Sequence, residues 1–210
     1  MSDDIAYPVF RTPDVVLALG AARRLMEFGR CEYSEVSVCA MLGSVAEVRR
    51  VAKALPAALF RGHEEAWEFE GMSWEEHPAL VLGVRGPDLP SDPSAYEGRL
   101  PVECELRDLP VGSIEDAFTA AIGSNSGEIN WEHLAWPDAP EAGFHGESKH
   151  AEVTLLLNTG TRDLDDRTDE HTVLVHVRSS SFGGRQMREP YAHWLAEQVG
   201  LAVIGPGQRW

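Results

Sequence analysis

The chain has 210 residues, of which 43% are hydrophobic and 25% are charged, so it can bury a core as one domain or two small ones. Its formal net charge of −16 at pH 7 argues against nucleic acid as a partner, because nucleic-acid binding usually relies on a basic face that releases counterions. No stretch approaches the roughly 20 apolar residues that a membrane-spanning helix needs, so we expect no membrane partner either.

The opening residues and the cysteines indicate the compartment. The start, MSDDIAYPVF, lacks both a basic leader and an apolar signal core. The three cysteines are odd in number and show no CxxC or zinc-like spacing, which favours buried thiols in a reducing environment. We therefore expect a cytoplasmic protein.

Two helices that flank a strand are predicted first. Thr12 is a suitable N-cap for a helix over 13–28. Residues 35–42 alternate in the manner of a strand with one buried side. Ser44 then opens a capping box for a second helix, which Pro56 ends.

The middle of the chain predicts two strands and a connection. Residues 67–70 favour a short strand, and 79–84 are continuously apolar, as in a strand covered on both faces. Prolines with Asp and Ser over 86–98 favour an extended connection. This division predicts an α/β half over 1–98 and a second half over 99–210, with a single merged domain as the alternative.

The second half opens with a strand, a helix and a long loop. Alternation over 100–107 indicates a half-exposed strand. Ser113 begins a capping box for an apolar-striped helix that Gly123 ends. Residues 124–150 are rich in Gly, Ser, Asn, Pro and Trp, and they predict a long loop of the kind that is often functional.

A β-hairpin is predicted next. Apolar residues alternate over 153–157 and again over 173–177. One register satisfies both the core and the charges, and its opposite pairs are Leu156 with Leu174, Thr154 with His176, and Glu152 with Arg178. The residues between the strands, 158–172, form a long acidic tip.

A helix that starts at Pro190 and a strand over 201–204 complete the chain. From residue 100 onward the order is β-α-β-β-α-β, which matches the split βαβ, or ferredoxin-like, arrangement. The sequence therefore predicts an α+β fold with a mixed sheet and helices packed on one face. Its C-terminal half would be a ferredoxin-like βαββαβ unit with a long inserted loop.

Carboxylates concentrate in the acidic tip over 163–170. A run of this kind usually faces water, although several oxygen ligands are also what a divalent cation needs. In a ferredoxin-like sheet Asp108 would approach this tip from the end of a neighbouring strand. One hypothesis is therefore a metal-dependent enzyme of the nucleotidyl-transfer or hydrolase type, in which Asp108 and the tip hold cations.

A glycine-containing loop before the last helix carries a possible anion site. The loop joins a strand to a helix, and three arginines lie in or beside it: Arg178, Arg185 and Arg188. Such a loop can bind a carboxylate or a phosphate, and the alternative is a mobile loop without a ligand.

The predicted loop over 124–150 also contains an aromatic and acidic patch of Trp131, Glu132 and Trp136. Large aromatic side chains on a connection either pack onto the core or anchor a partner, because buried aromatics dominate the energetics of interfaces. Both alternatives are open from the sequence alone.

The leading functional hypothesis is a non-enzymatic intracellular binding protein. The chain has no GxSxG elbow, Walker loop or GxGxxG motif, and it predicts no cofactor. Its acidity favours docking of a basic protein partner, as an immunity or inhibitor protein docks a toxin. The residues predicted to contact this partner are Trp131, Glu132, Trp136, Asp165, Asp166 and Asp169.

Overall fold

The structure is a computed structural model that describes residues 4–62, 83–178 and 188–209. Within these ranges the chain forms one nine-stranded sheet and four α-helices. The strands are β1 (Asp4–Thr12), β2 (Glu35–Leu42), β3 (Leu59–Gly62), β4 (Val84–Arg85), β5 (Val102–Pro110), β6 (Gly127–Trp136), β7 (Glu147–Leu157), β8 (His171–Arg178) and β9 (Gln208–Arg209). The helices are α1 (Val15–Gly29), α2 (Val45–Ala54), α3 (Glu115–Ile122) and α4 (Arg188–Gln198). None of these four is long and apolar enough to cross a membrane.

The sheet is open and antiparallel throughout, with the order β4-β3-β5-β2-β6-β7-β8-β1-β9. The predicted mixed sheet with a ferredoxin-like βαββαβ half is therefore wrong. The connection through α3 joins β5 to β6, but β2 from the first half lies between these two strands. The two predicted halves share this one sheet, since β2 of the first half lies between β5 and β6 of the second, and β1 pairs with β8.

The predicted helix, strand and helix of the first half are confirmed as α1, β2 and α2. Asp14 caps α1 by accepting hydrogen bonds from the first backbone N–H groups of the helix, whereas Thr12 ends β1. Ser44 caps α2 as predicted and accepts from the backbone N–H of Glu47. A short polar side chain just before an apolar stripe is a local signal for the start of a helix. The sequence therefore predicts each helix start to within two residues.

Several predictions for the middle of the chain fall on residues that the structure does not describe. The strand over 67–70 and most of that over 79–84 lie there, and Val84 begins β4. The connection over 86–98 contains two 3₁₀ helices, Gly86–Asp88 and Pro93–Tyr96, where an extended chain was expected. Proline at the start of each favours these short turns.

The long loop predicted over 124–150 is wrong, because β6 runs through it in the middle of the sheet. Its first residues alternate, with Ile129 and Trp131 buried and Glu128 and Asn130 half-buried. The alternation ends at His133, whose φ of +56° accompanies a shift of register against β7. A bulge of this kind moves later side chains out of the period of two, which hides the strand from pattern analysis.

The predicted hairpin is confirmed as β7 and β8, but its predicted register is wrong by two residues. The observed pairs are Leu156 with Thr172, Thr154 with Leu174, and Glu152 with His176. A slip of two residues leaves every side chain on the same face, so the apolar alternation does not distinguish the two registers. The acidic tip between these strands comprises residues 158–170.

The two ends of the chain also differ from expectation. β1 was not predicted, because Pro8 interrupts its pattern at a shift of register against β8. The strand predicted over 201–204 is wrong, since this stretch makes one backbone bond to β1, from Ile204 N to Pro8 O at 2.8 Å. The last strand is β9, which pairs with the other edge of β1.

The strands separate two faces of the sheet. On one, which we call the core face, alternate residues such as Val36, Trp131 and Val175 join the buried residues of the helices in one large core. The opposite face, which we call the polar face, carries mostly polar side chains and a small apolar cluster of Ala6, Leu156 and Leu174. The candidate functional site lies on the polar face.

Candidate functional site

Six glutamates lie on the polar face of four adjacent strands, β5, β2, β6 and β7. Register places them together, because Cys39 of β2 has Glu105 opposite it on one side and Glu128 on the other. All six are half-buried, and the side chain of Glu105 is 15% exposed. We call this set the glutamate face, and its members are Glu35, Glu103, Glu105, Glu128, Glu132 and Glu152.

Like charges are close together on the glutamate face. Glu35 lies directly opposite Glu132, an arrangement that destabilises an antiparallel pair. The pKa of Glu128 is raised to about 7, mainly by burial; the charge of Arg162 lowers it, and the charges of Glu132 and Glu152 add to the rise. Glu128 therefore holds its proton for part of the time at neutral pH.

A hydrogen-bond chain crosses the polar face from β6 to β8. Asn130 Nδ2 donates to Glu132 Oε1 at 3.1 Å and to Glu152 Oε2 at 3.5 Å, so its Oδ1 accepts from Thr154 Oγ1 at 2.9 Å. Because a hydroxyl has only one proton, His176 Nε2 must donate to Thr154 Oγ1, 2.8 Å away. Burial lowers the pKa of His176 to about 3, so the ring is neutral with its proton on Nε2.

The Thr154 hydroxyl is expected to contribute to stability through this chain. Thr154 is fully buried, and valine would leave Asn130 Oδ1 and His176 Nε2 without their partner. We expect Thr154→Val to lower the free energy of unfolding by about 2 kcal/mol. Urea denaturation measures this loss. Thr154→Ser keeps the hydroxyl and should lose less than about 1 kcal/mol, and equal losses in both variants would contradict the assignment.

Arginines balance part of the negative charge. Arg107 Nε binds Glu105 Oε1, Arg61 lies opposite Glu103, and the charge of Arg162 acts on Glu128. Within the described part of the chain, a contact, the strand register and the electrostatics thus each place one arginine beside the six glutamates. Among the described residues, the six glutamates thus outnumber these three arginines.

Cys39 lies between the glutamates and is a thiol rather than a thiolate. Its Sγ donates to Glu103 Oε1 at 3.4 Å. Burial, followed by the charge of Glu103, raises the pKa of Cys39 far above its usual value. Because nucleophilic cysteines need a lowered pKa, Cys39 acts here as a hydrogen-bond donor.

The predicted aromatic patch is divided between the two faces. Trp131 and Trp136 lie on the core face and are 0% and 2% exposed. Trp131 Nε1 donates to Glu115 at 3.0 Å, and Trp136 Nε1 donates to the carbonyl of His176 at 2.8 Å. Neither indole is at the surface, whereas Glu132, the third member of the patch, belongs to the glutamate face.

The three predicted aspartates are exposed on the acidic tip, and they are Asp165, Asp166 and Asp169. A bridge between Thr159 and Arg167 closes the tip into a defined loop. The tip begins after Leu157 of β7, and Leu156 lies opposite Glu128, so the tip adjoins one end of the glutamate face. The predicted aspartates thus lie beside a larger cluster, of which the prediction included Glu132 alone.

Asp108 and the acidic tip are not brought together. Asp108 lies near the end of β5 that pairs with Glu35, whereas the tip follows Leu157, at the opposite end of the sheet. Two strands separate β5 from β7, a distance of about 14 Å across the sheet. Within residues 4–62, 83–178 and 188–209, no group of three or more His, Cys, Asp or Glu side chains is arranged to hold a metal ion.

The predicted anion site lies outside what the structure describes. Arg185 falls within residues 179–187, and the side chains of Arg178 and Arg188, which end β8 and begin α4, are not described. That prediction therefore stays a prediction.

The glutamate face was missed as a whole, although part of its signal is visible in the sequence. Glu35 shares the less apolar side of one predicted strand with Ser37 and Cys39, and Glu103 and Glu105 share the polar side of another. Alternation places residues on a face within one strand, but it does not tell which strands are neighbours. Glu128 was not placed on this face because β6, the strand that carries it, was predicted to be a loop.

The chain matches no protein-family model, no curated protein and no solved structure. A function therefore has to be argued from the residues of the polar face.

Proposed function

We propose that this protein is a non-enzymatic, cytoplasmic binding protein that docks a basic protein partner on its glutamate face, as an immunity or inhibitor protein docks a toxin. The observation that carries the proposal is the pair Glu35 and Glu132, directly opposite each other on neighbouring strands. A pair of like charges lowers stability. Residue arrangements that lower stability are found most often at functional sites, where binding or catalysis requires them.

A cationic side chain placed between the two carboxylates would replace one repulsion by two attractions. The guanidinium of arginine suits this role best, because its planar fork of donors matches carboxylate oxygens. The glutamates are fixed on strands and half-buried, so few rotamers are lost when a partner binds. We therefore expect arginines at the centre of the partner's surface.

The net charge of the chain supports the same function through the rate of encounter. A formal charge of −16 attracts a basic protein over a distance, and salt screens that attraction. The exposed aspartates of the acidic tip extend the negative surface beyond the glutamate face. Binding should therefore be faster at low ionic strength.

The alternative, a metal-dependent enzyme that uses Asp108 with the 163–170 stretch, draws no support from this geometry. The two parts lie toward opposite ends of the sheet, and two strands separate them. We therefore prefer the binding protein.

Neutralising the glutamate face should weaken binding. We expect the triple variant Glu35→Gln, Glu132→Gln, Glu152→Gln to retain a basic partner at least about tenfold more weakly than the wild type. The measurement is affinity capture from the native cell extract at low and at high salt, followed by titration of the captured basic protein.

A second triple variant provides a control of equal net charge. Glu27→Gln, Glu189→Gln and Glu197→Gln neutralise exposed residues of α1 and α4, away from the polar face. This control should bind as the wild type does. If both triple variants lose the partner equally, or if retention is indifferent to salt, the proposed docking on the glutamate face is wrong.

A further inference from the structure

We propose that the cleft between α2 and the connection over 86–98 binds a small organic acid, in which a carboxylate is joined to a flat apolar body. We call this site the α2 cleft. The buried residues of α2 pack into the large core, so the cleft lies on the helix side of the sheet, away from the glutamate face. Its occupation does not depend on the docking of a basic protein partner.

The α2 cleft has the size of a small-molecule site and closely packed walls. Its volume is about 500 Å³, within the roughly 300 to 1,000 Å³ of most ligand pockets. The connection approaches α2 so closely that a Cβ atom at Gly86 would lie 3.2 Å from the carbonyl oxygen of Ala52. Arg49 Nη2 donates to the carbonyl of Ser91 at 2.6 Å and joins the same two walls again. These contacts hold the cleft in one shape.

Apolar groups form most of the lining of the cleft. Leu89 and three prolines are among them, Pro56, Pro87 and Pro90. Tyr96 is 1% exposed, and its hydroxyl donates to the carbonyl of Pro90 at 3.1 Å, which fixes the proline-rich wall. Because proline has no side-chain rotamers to lose, contact between these rings and an apolar ligand costs little entropy.

Both charged side chains of the lining are positive. Arg49 and Lys53 are four residues apart on α2, so they extend from the same side of the helix. Within residues 4–62, 83–178 and 188–209, no carboxylate lies at ion-pair distance from either side chain. Lys53 also complements the dipole in the last turn of α2, whereas Arg49 lies in the middle of the helix. In a chain with a formal net charge of −16, this local positive charge favours an anion as the ligand.

A carboxylate joined to an apolar body matches both parts of the lining. The guanidinium of Arg49 has five N–H donors, so after the bond to Ser91 it has further donors for carboxylate oxygens. The ammonium of Lys53 adds a second positive charge for the same anion. The apolar body would lie against Leu89 and the prolines and would leave water. A neutral ligand of the same shape would gain the apolar contacts alone.

The wild-type protein is tested with cinnamate and with its neutral amide, cinnamamide. We expect cinnamate to bind at least about threefold more tightly, because only the acid pairs with the two cations, and each exposed ion pair is weak. Isothermal titration calorimetry gives both affinities. Backbone amide NMR locates the probe, and its shifts should concentrate in residues 49–56 and 86–96. Equal affinities, no binding, or shifts confined to other parts of the chain would overturn the site.

A double variant tests the two cations. Arg49→Gln with Lys53→Gln should bind cinnamate at least about threefold more weakly than the wild type and leave cinnamamide unchanged. The control, Arg24→Gln with Arg30→Gln, makes the same change of net charge at two exposed positions in and just after α1, and should bind as the wild type does. Equal losses of cinnamate in both double variants would contradict the site. Should the first variant not fold, the comparison of acid and amide on the wild type still decides.

Discussion

Replacing Trp131 by alanine is expected to lower the free energy of unfolding by about 3 to 5 kcal/mol, the usual loss for a large aromatic side chain in a core. Trp131 is completely buried on the core face and is among the largest side chains there. Alanine would leave a cavity between the sheet and the helices. It would also remove the hydrogen bond that the indole N–H of Trp131 donates to Glu115. Urea denaturation followed by circular dichroism gives the size of the loss.

Trp131→Phe separates the volume of this side chain from its hydrogen bond. Phenylalanine fills most of the space but cannot donate to Glu115, which keeps its bonds from the backbone N–H groups of Gly112 and Ile114. We expect a loss of about 1 to 2 kcal/mol. A Trp131→Ala protein as stable as the wild type would contradict the core position and would return Trp131 to the role of a surface anchor for a partner.

Replacing Glu128 by glutamine is expected to stabilise the protein, and more so at high pH. The pKa of Glu128 is raised from 4.5 to about 7 in the folded state, so the folded protein binds a proton more tightly than the unfolded chain. Stability from this group is present below pH 4.5 and is lost as the pH rises through 7. Glutamine resembles the protonated acid and does not ionise, so it avoids this loss.

The size of the effect follows from the shift. We expect Glu128→Gln to gain less than about 1 kcal/mol at pH 5 and about 3 kcal/mol at pH 8. Denaturation in urea at the two pH values measures the difference. Glu197→Gln, an exposed position on α4, is the control and should show no pH-dependent gain. An equal effect of Glu128→Gln at both pH values would contradict the raised pKa.

This prediction also separates stability from function. A variant that gains stability at pH 8 by losing the charge of Glu128 should dock a basic partner less well, because the partner is expected to bind the ionised carboxylate. In that case the Glu128 carboxylate of the wild type lowers stability but strengthens binding of the partner.

Local signals in the sequence predicted the elements that depend on neighbouring residues. Ser44 caps α2 as expected, and the alternation of β2 separates its buried and half-buried sides residue by residue. The cap and the alternation act within a few residues of chain, so they are recorded in the sequence itself. The failure at β6 is also local, since the bulge at His133 interrupts the period.

Sequence alone determined the excess of acidic residues and the face that each side chain takes on its own strand. Glu103 and Glu105 were placed in this way on the polar side of β5. Only the tertiary structure decided that β2 lies between β5 and β6, and that Glu35 therefore stands opposite Glu132. The neighbours of a strand are chosen by backbone hydrogen bonds between residues far apart in the chain, and no local period records that choice.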